Sequence, residues 1–251
     1  MQIVVDGLMT HYQRQGKGKV VILLHGWADR LETFRNIMPE LAKQYDVIAL
    51  DLPGFGQTQM PTTTWKLDHY ALFLQAFIKK LGLEDIYALV GHSNGGALAI
   101  KATADGFVKP QKLVLLASSG VRDTAKLKRV ATKAVAKTGK VMTFWLPKTT
   151  KQKLQKKLYG TIGSDMLVAP HLQETFKQTV RQDIQRDAVK ITVPTLLIYG
   201  EQDKATPIES VAKQLNTRIA GSYLKIIPGA DHFVHQVAAT EVSQEIQEFL
   251  A

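Results

Sequence analysis

A serine with one glycine two positions before it and another two positions after it lies where an apolar segment gives way to small residues. Residues 86–90 have the composition of a buried strand, Gly91-His92-Ser93-Asn94-Gly95 follows, and residues 96–102 favour a helix. A strand that turns directly into a helix admits only glycine at the flanking positions and strains the serine between them. The pattern predicts a hydroxyl raised from the strand end, beside amides at a helix N-terminus. A glycine-rich turn without chemistry is the alternative.

Strand-like segments alternate with amphipathic segments along most of the chain. Residues 20–24 are continuously apolar, as expected of a strand buried on both faces of a parallel sheet. Strands are predicted over 3–5, 9–13, 20–24, 46–50, 86–90, 112–117, 195–199 and 223–227, and helices over 32–43, 68–81, 96–102, 208–215 and 237–250. This alternation predicts an α/β fold with a mostly parallel, doubly wound sheet. A hairpin that turns at Asp6-Gly7 precedes it.

The segment 121–187 interrupts this alternation. It lacks a strong strand pattern and favours at least three helices, the last of which begins at Pro170. It holds 15 Lys and Arg residues against 5 Asp and Glu residues, so it carries the whole net charge of +10. We therefore predict a core formed by residues 1–120 and 188–251, with a basic helical cap formed by residues 121–187.

The charge of this cap has two interpretations. A run of cations is most often a solvated, solubilising surface. Because the remainder of the chain is neutral, the cap is also compatible with attraction of an anionic or carrier-bound substrate, or of an anionic membrane surface. Nucleic acid is not expected, since no recognisable binding module accompanies the charge.

Composition narrows the classes of protein further. Apolar residues make up 45% and charged residues 22% of the 251-residue chain, as in ordinary globular proteins. No apolar run approaches the length of a membrane span, and the N-terminus lacks a secretory-signal pattern. Without cysteine the chain has no disulfide or thiol nucleophile, and its histidines and carboxylates lack metal-site spacing. We expect a cytoplasmic protein without a metal or cofactor.

Two further residues complete a nucleophilic site around Ser93. A serine hydroxyl is a weak nucleophile at neutral pH and needs a base that a carboxylate orients. Asp203 and His232 each follow a predicted strand, where functional groups of parallel sheets gather. Along the chain the order is serine, acid, histidine. This is the order found when the serine lies in a tight strand-to-helix turn of such a sheet. Glu201 is the alternative acid and His235 the alternative base.

Negative charge that develops on a substrate carbonyl oxygen requires two inward-facing amides. The amide of Asn94, directly after the serine, is one candidate. We assign the second to Trp27 in His25-Gly26-Trp27, which follows the strand over 20–24. Gly26 is expected to leave the backbone free to turn this amide inward.

These motifs together resemble the α/β-hydrolase superfamily, in the form with a helical cap between the sixth and seventh strands. The resemblance extends from about Lys19 to the C-terminus. Its motifs are His25-Gly26-Trp27, Asp51-Leu52-Pro53-Gly54-Phe55-Gly56, Gly91-His92-Ser93-Asn94-Gly95-Gly96, Gly200-Glu201-Gln202-Asp203 and Gly229-Ala230-Asp231-His232. Epoxide hydrolases and haloalkane dehalogenases have aspartate in place of Ser93. The chain also lacks the His-Gly-Gly-Gly run of hormone-sensitive-lipase-like esterases.

The resemblance and the triad imply a serine hydrolase that cleaves carboxylic esters or thioesters through an acyl-enzyme. The candidate pocket residues, several of which have ordinary packing as their alternative role, are His25, Phe144, Trp145, Leu146 and Phe233. The candidate apolar walls suggest a small-molecule substrate with an acyl or aryl group; they are Trp27, Phe144, Trp145, Leu146 and Phe233. Other functions of the same fold stay open: a ligand-binding or docking protein, a lyase, or a cofactor-independent oxygenase or perhydrolase.

Overall fold

The protein is built on one eight-stranded sheet. A computed structural model describes residues 1–121 and 173–251. The strands are β1 (Gln2–Val5), β2 (Leu8–Gln15), β3 (Val20–Leu24), β4 (Asp46–Leu50), β5 (Ile86–His92), β6 (Lys112–Leu116), β7 (Thr195–Gly200) and β8 (Tyr223–Ile227). Their order is β1-β2-β4-β3-β5-β6-β7-β8. The pairs β1–β2 and β2–β4 are antiparallel and the other five are parallel, which confirms the predicted hairpin and mostly parallel sheet.

The carboxyl ends of the central strands meet at one edge of the sheet. Leu24 at the end of β3 is paired with Leu50 of β4 and with Gly91 of β5. His92 in turn is paired with Leu116 at the end of β6. The loops that follow these strands therefore start side by side, as the position of a site in a parallel sheet requires.

Helices cover both faces of the sheet. The described helices are α1 (Met38–Leu41), α2 (Leu67–Lys80), α3 (Asn94–Ala104), α4 (Gln173–Arg181), α5 (Gln185–Ala188), α6 (Lys213–Arg218), α7 (Val234–Val237) and α8 (Ala239–Leu250). Helices α2 and α3 pack on one face through side chains such as Phe77 and Ile100, and α1 and α8 pack on the other through Leu41 and Ile246. No helix in these two ranges is both long enough and apolar enough to cross a bilayer.

Two predicted helices are interrupted, and a third is continuous but changes its helix type. Residues 32–43 form a 3₁₀ turn, Leu31–Phe34, and then α1, which has Pro39 in its first turn. A continuous helix is excluded there because proline has no N–H and its ring would clash with the carbonyl of Arg35. Residues 208–215 begin as a π-helical turn, Ile208–Ala212, and the closing helix is divided by Ala238 into α7 and α8.

Only the C-terminal part of the predicted cap lies within the described residues. Helix α4 includes the predicted helical residue Phe176, which packs against the main apolar core. Residues 122–172 lie outside the described residues. The predicted helix start at Pro170 falls in this range, as does the segment that follows the predicted boundary at residue 121. The division into core and cap therefore stays a prediction.

A group of charged and amide side chains holds the segment after α4 to the core helices. Lys101 of α3 lies 3.1 Å from Asp68, 2.9 Å from Asp105 and 3.7 Å from Asp187 of α5. Gln182 donates to Asp68 at 2.6 Å. Because Lys101 is largely buried, these contacts fix α5 against α2 and α3 more firmly than an exposed ion pair would.

Candidate active site

The structure brings Ser93, His232 and Asp203 together. Ser93 Oγ lies 3.0 Å from His232 Nε2, and His232 Nδ1 lies 2.8 Å from Asp203 Oδ2. These are hydrogen-bond distances for a hydroxyl that donates to a ring nitrogen and a ring N–H that donates to a carboxylate. The three side chains come from loops after β5, β7 and β8, so the sheet edge assembles them from distant parts of the chain.

The turn at Ser93 has the strained geometry that the glycine pattern predicts. Ser93 has φ 51° and ψ −115°, in the left-handed half of backbone space, where a non-glycine residue costs about 1–3 kcal/mol. A Cβ at Gly91 would collide with the backbone of Gly95, and a Cβ at Gly95 would collide with the carbonyl of Leu24. The first glycine thus makes room inside the turn, whereas the second makes room for the end of β3.

Asp203 is a buried carboxylate with four hydrogen-bond donors. Its Oδ1 accepts from the amides of Ala205 and Thr206, at 2.8 and 2.9 Å. Its Oδ2 accepts from His232 and from the hydroxyl of Thr206, the latter at 2.7 Å. Burial tends to raise the pKa of Asp203, but the bonds from His232 and Thr206 outweigh it and lower the pKa below its usual value. The carboxylate is therefore ionised at neutral pH.

The alternative acid, Glu201, lies on the surface. Its carboxylate accepts a hydrogen bond from the amide of Gly229 at 2.9 Å and does not contact His232. Sequence reasoning identified Asp203 but missed Thr206, which touches both Asp203 and His232. The available signal was the position of a hydroxyl residue three places after an aspartate, where Asx-type turns form.

Asn94, which carries one candidate oxyanion amide, follows Ser93 directly, and Gly26, the residue before Trp27, lies close to Ser93. Within the described residues, neither the amide of Trp27 nor that of Asn94 donates to a backbone acceptor. A Cβ at Gly26 would lie 3.2 Å from Ser93 Cβ and 3.1 Å from His92 Nδ1. A side chain at Gly26 would therefore require Ser93 and His92 to shift by a few tenths of an ångström, while the positive φ in this loop, 55°, occurs at Ala28.

Three buried histidines surround the triad without joining it. His25 Nδ1 donates to the carbonyl of Gly26 at 2.7 Å, and its Nε2 accepts from the amide of Leu52 at 2.9 Å. His25 therefore holds two loops together. Because its side chain is completely buried, the prediction that His25 lines the substrate pocket is wrong. Burial lowers its pKa, so it is neutral at pH 7.

His92 and His235 pack against each other behind His232, with ring centroids 4.3 Å apart. His92 Nε2 donates to the backbone carbonyl of His232 at 3.0 Å, and His235 Nε2 contacts the Thr33 hydroxyl at 2.8 Å. Burial lowers the pKa of His92 well below its ordinary value and that of His235 to about 3. His235, the alternative base, is thus a buried packing residue.

Of the remaining predicted pocket residues, Phe233 is 42% exposed and its ring lies 5.7 Å from that of His232. Phe144, Trp145 and Leu146 lie outside the described residues. A cavity of about 190 Å³ adjoins Asn94, the residue after the nucleophile. Its described lining contains no charged residue and comprises Asn94, Ala97, Ser119, Gly120, Val121, Thr179, Gln182, Ala205, Thr206 and Val211.

Within the described residues, no three His, Asp or Glu side chains are placed to hold a metal ion. The described side chains that contact one another at the site include those of Ser93, His232 and Asp203.

Comparison with known proteins agrees with the fold. The sequence model of the alpha/beta hydrolase fold family matches residues 19–152. The chain is 27% identical to the uncharacterized hydrolase YugF of Bacillus subtilis, over 99% of the chain and 97% of the relative. It is 30% identical to the 2-hydroxy-6-oxo-6-(2'-aminophenyl)hexa-2,4-dienoic acid hydrolase of Metapseudomonas resinovorans, over 90% of the chain and 82% of the relative.

A similar solved structure is that of a serine hydrolase involved in carbazole degradation. It is 27% identical, with a TM-score of 0.76 over 100% of this chain and 98% of its own. The chain belongs to the α/β-hydrolase-fold family, and it shares that family's mostly parallel eight-stranded sheet.

Proposed function

We propose that the protein is a serine hydrolase that cleaves a carboxylic ester or thioester through an acyl-enzyme. The observation that carries this proposal is the continuous chain of hydrogen bonds from Ser93 through His232 to Asp203, at 3.0 and 2.8 Å. Such a chain lets the base remove the hydroxyl proton while the ionised carboxylate stabilises the imidazolium that forms.

The reaction proceeds in two halves. Ser93 Oγ attacks the substrate carbonyl carbon as its proton passes to His232 Nε2, and the oxyanion is held by the amides of Trp27 and Asn94. His232 then returns the proton to the departing alcohol or thiol. In the second half, His232 takes a proton from water, the hydroxide attacks the acyl carbon, and the acid leaves as Ser93 recovers its proton.

The cavity beside Asn94 supports a small, uncharged acyl group. Its volume of about 190 Å³ equals that of about six water molecules at roughly 30 Å³ each, which is enough for a short acyl chain. Since its described lining is uncharged, a carboxylate there would lose its hydration without a compensating cation. We propose that short-chain acyl esters are turned over faster than long-chain or charged ones.

Hydrolysis of an oxo-dienoic acid is a second candidate, favoured by the 30% identity to the Metapseudomonas enzyme over 90% of this chain. The same nucleophile and oxyanion amides are suited to attack on a ketone carbonyl. The uncharged described lining of the cavity supports the ester more directly, because an acid substrate brings a carboxylate that requires a cation.

A fluorophosphonate probe and a series of p-nitrophenyl esters test this function. We expect the wild type to be labelled and to hydrolyse acetate and butyrate esters, and we expect Ser93→Ala to lose labelling and at least about 10⁴-fold in kcat. Asp203→Asn should lower kcat by about 10⁴-fold, whereas the matched change of the exposed neighbour, Glu201→Gln, should not.

Two results would contradict the proposal. A folded wild type that resists labelling refutes a reactive Ser93. Labelling combined with turnover of an oxo-dienoic acid, but of none of the esters, favours the second candidate.

A further inference from the structure

The hydroxyl of Thr206 lies where the acid, the base and the strand beside the nucleophile meet. It is 2.7 Å from Asp203 Oδ2, 3.3 Å from His232 Nδ1 and 3.1 Å from the carbonyl oxygen of Ala117. Thr206 is also buried, so water does not compete for these partners. We propose that Thr206 is a positioning residue that keeps the Asp203 carboxylate oriented toward His232 Nδ1. This inference rests on the proposed function.

The single hydroxyl proton has two acceptors within reach, and the carboxylate is preferred. Asp203 Oδ2 is both closer than the carbonyl of Ala117 and negatively charged, and hydrogen bonds to charged acceptors are about twice as strong as neutral ones. The bond at 3.1 Å to Ala117 is then a longer second contact. It faces the loop after β6, whose Ser119 amide donates to the carbonyl of Ser93.

Thr206 contacts both oxygens of the carboxylate. Its amide donates to Oδ1 and its hydroxyl donates to Oδ2. Since Oδ2 is also the oxygen that accepts from His232 Nδ1, the Thr206 hydroxyl fixes the carboxylate plane at the atom that orients the imidazole. Without the hydroxyl, Oδ1 keeps two amide donors while Oδ2 keeps only the imidazole.

The amides of Ala205 and Thr206 hold Oδ1 whatever side chain stands at 206, so the side chain acts at Oδ2 alone. This predicts a defect in kcat, because a carboxylate that tilts at Oδ2 supports the imidazolium less well in the transition state. KM is expected to remain unchanged, since valine preserves the branched shape with which Thr206 lines the cavity.

The experiment compares Thr206→Val and Thr206→Ser with Thr195→Val. Thr195 is the matched control: it is buried at the start of β7, and its hydroxyl donates to the carbonyl of Val193 at 2.9 Å, with no bond to a triad residue. We expect Thr206→Val to lower kcat about tenfold with unchanged KM, which corresponds to about 1.4 kcal/mol. Thr206→Ser should restore most of the activity, and Thr195→Val should keep wild-type kcat.

A second measurement does not depend on turnover. The Nδ1 proton of a histidine bonded to a carboxylate resonates far downfield, and we expect this His232 signal to shift in Thr206→Val but not in Thr195→Val. A Thr206→Val enzyme that matches Thr195→Val in kcat overturns the inference, as does a loss of kcat without a change in this signal. If the wild type cleaves no ester, the proposed function fails, and the proton signal alone decides the role of Thr206.

Discussion

Buried His235 makes the protein's stability depend on pH in a calculable way. Burial, and to a smaller extent the charge of His232, lowers the pKa of His235 to about 3 in the folded state. In the unfolded chain the pKa of a histidine is about 6.5. Below pH 6.5 the unfolded state therefore binds a proton that the folded state refuses, and stability falls as the pH is lowered until about pH 3. Above pH 6.5 this group has no effect.

The magnitude follows from the interval between the two pKa values. At pH 5, which is about 1.5 units below the pKa of histidine in the unfolded chain, protonation stabilises the unfolded state. For this one group the free energy of unfolding falls by about 2 kcal/mol. The perturbation is His235→Gln, because a glutamine amide does not titrate and extends about as far as Nε2, which contacts the Thr33 hydroxyl. Any packing loss in the variant affects both pH values equally.

Urea unfolding at pH 7.5 and pH 5 measures the effect. We expect the free energy of unfolding of the wild type to fall between these pH values by about 2 kcal/mol more than that of His235→Gln. Curves measured between pH 7.5 and 9 should be parallel, which serves as the internal control. An equal fall in both proteins between pH 7.5 and 5 would refute the assignment of His235 as a buried neutral group.

Three further predictions concern the helix network, the oxyanion loop and the cap. Lys101→Met should lower the free energy of unfolding by about 2 kcal/mol, since it leaves partly buried carboxylates without their cation. Lys43→Met removes the exposed ion pair with Glu40 and serves as the matched control, and it should lower the free energy of unfolding by less than about 1 kcal/mol. Equal losses in the two variants would count against the network. Gly26→Ala should lower kcat/KM roughly tenfold, because the new Cβ displaces Ser93, and unchanged kinetics would contradict this. If the basic cap steers substrate, kcat/KM for an anionic ester should fall between about 10 mM and about 1 M NaCl while that for a neutral ester stays constant; parallel curves would indicate a solubilising surface.

The positions of the strands could be predicted because each central strand is buried on both faces and reads as an uninterrupted apolar run. Val20–Leu24 is such a strand, and the structure buries its last four residues completely. The turn at Ser93 could also be predicted from the sequence. Glycine is the only residue without a Cβ, so its presence at 91 and 95 indicates a turn in which a side chain would collide. The break in the helix predicted over 32–43 also has a local signal, since Pro39 cannot continue a helix from the preceding turn.

What could not be predicted depends on tertiary packing. His25 occurs in a motif beside the nucleophile, and only the structure shows that both its nitrogens are taken up by backbone groups. Thr206 looks like an ordinary loop threonine until the loop after β7 folds against β6 and brings Ala117 and His232 to its hydroxyl. Hydrogen bonds between residues far apart in sequence leave no periodic signal.

The neutral state of the surrounding histidines has a consequence for the proposed chemistry. His232 becomes positively charged each time it accepts the Ser93 proton, and its ring lies 5.0 Å from that of His92. A charged neighbour at that distance would oppose the step, since like charges repel strongly where water is excluded. Burial keeps His92 and His235 uncharged, so the new cation faces the Asp203 carboxylate on one side and neutral rings on the other. At the same time the His92 N–H holds the His232 backbone, so the packing that makes these rings neutral also positions the base.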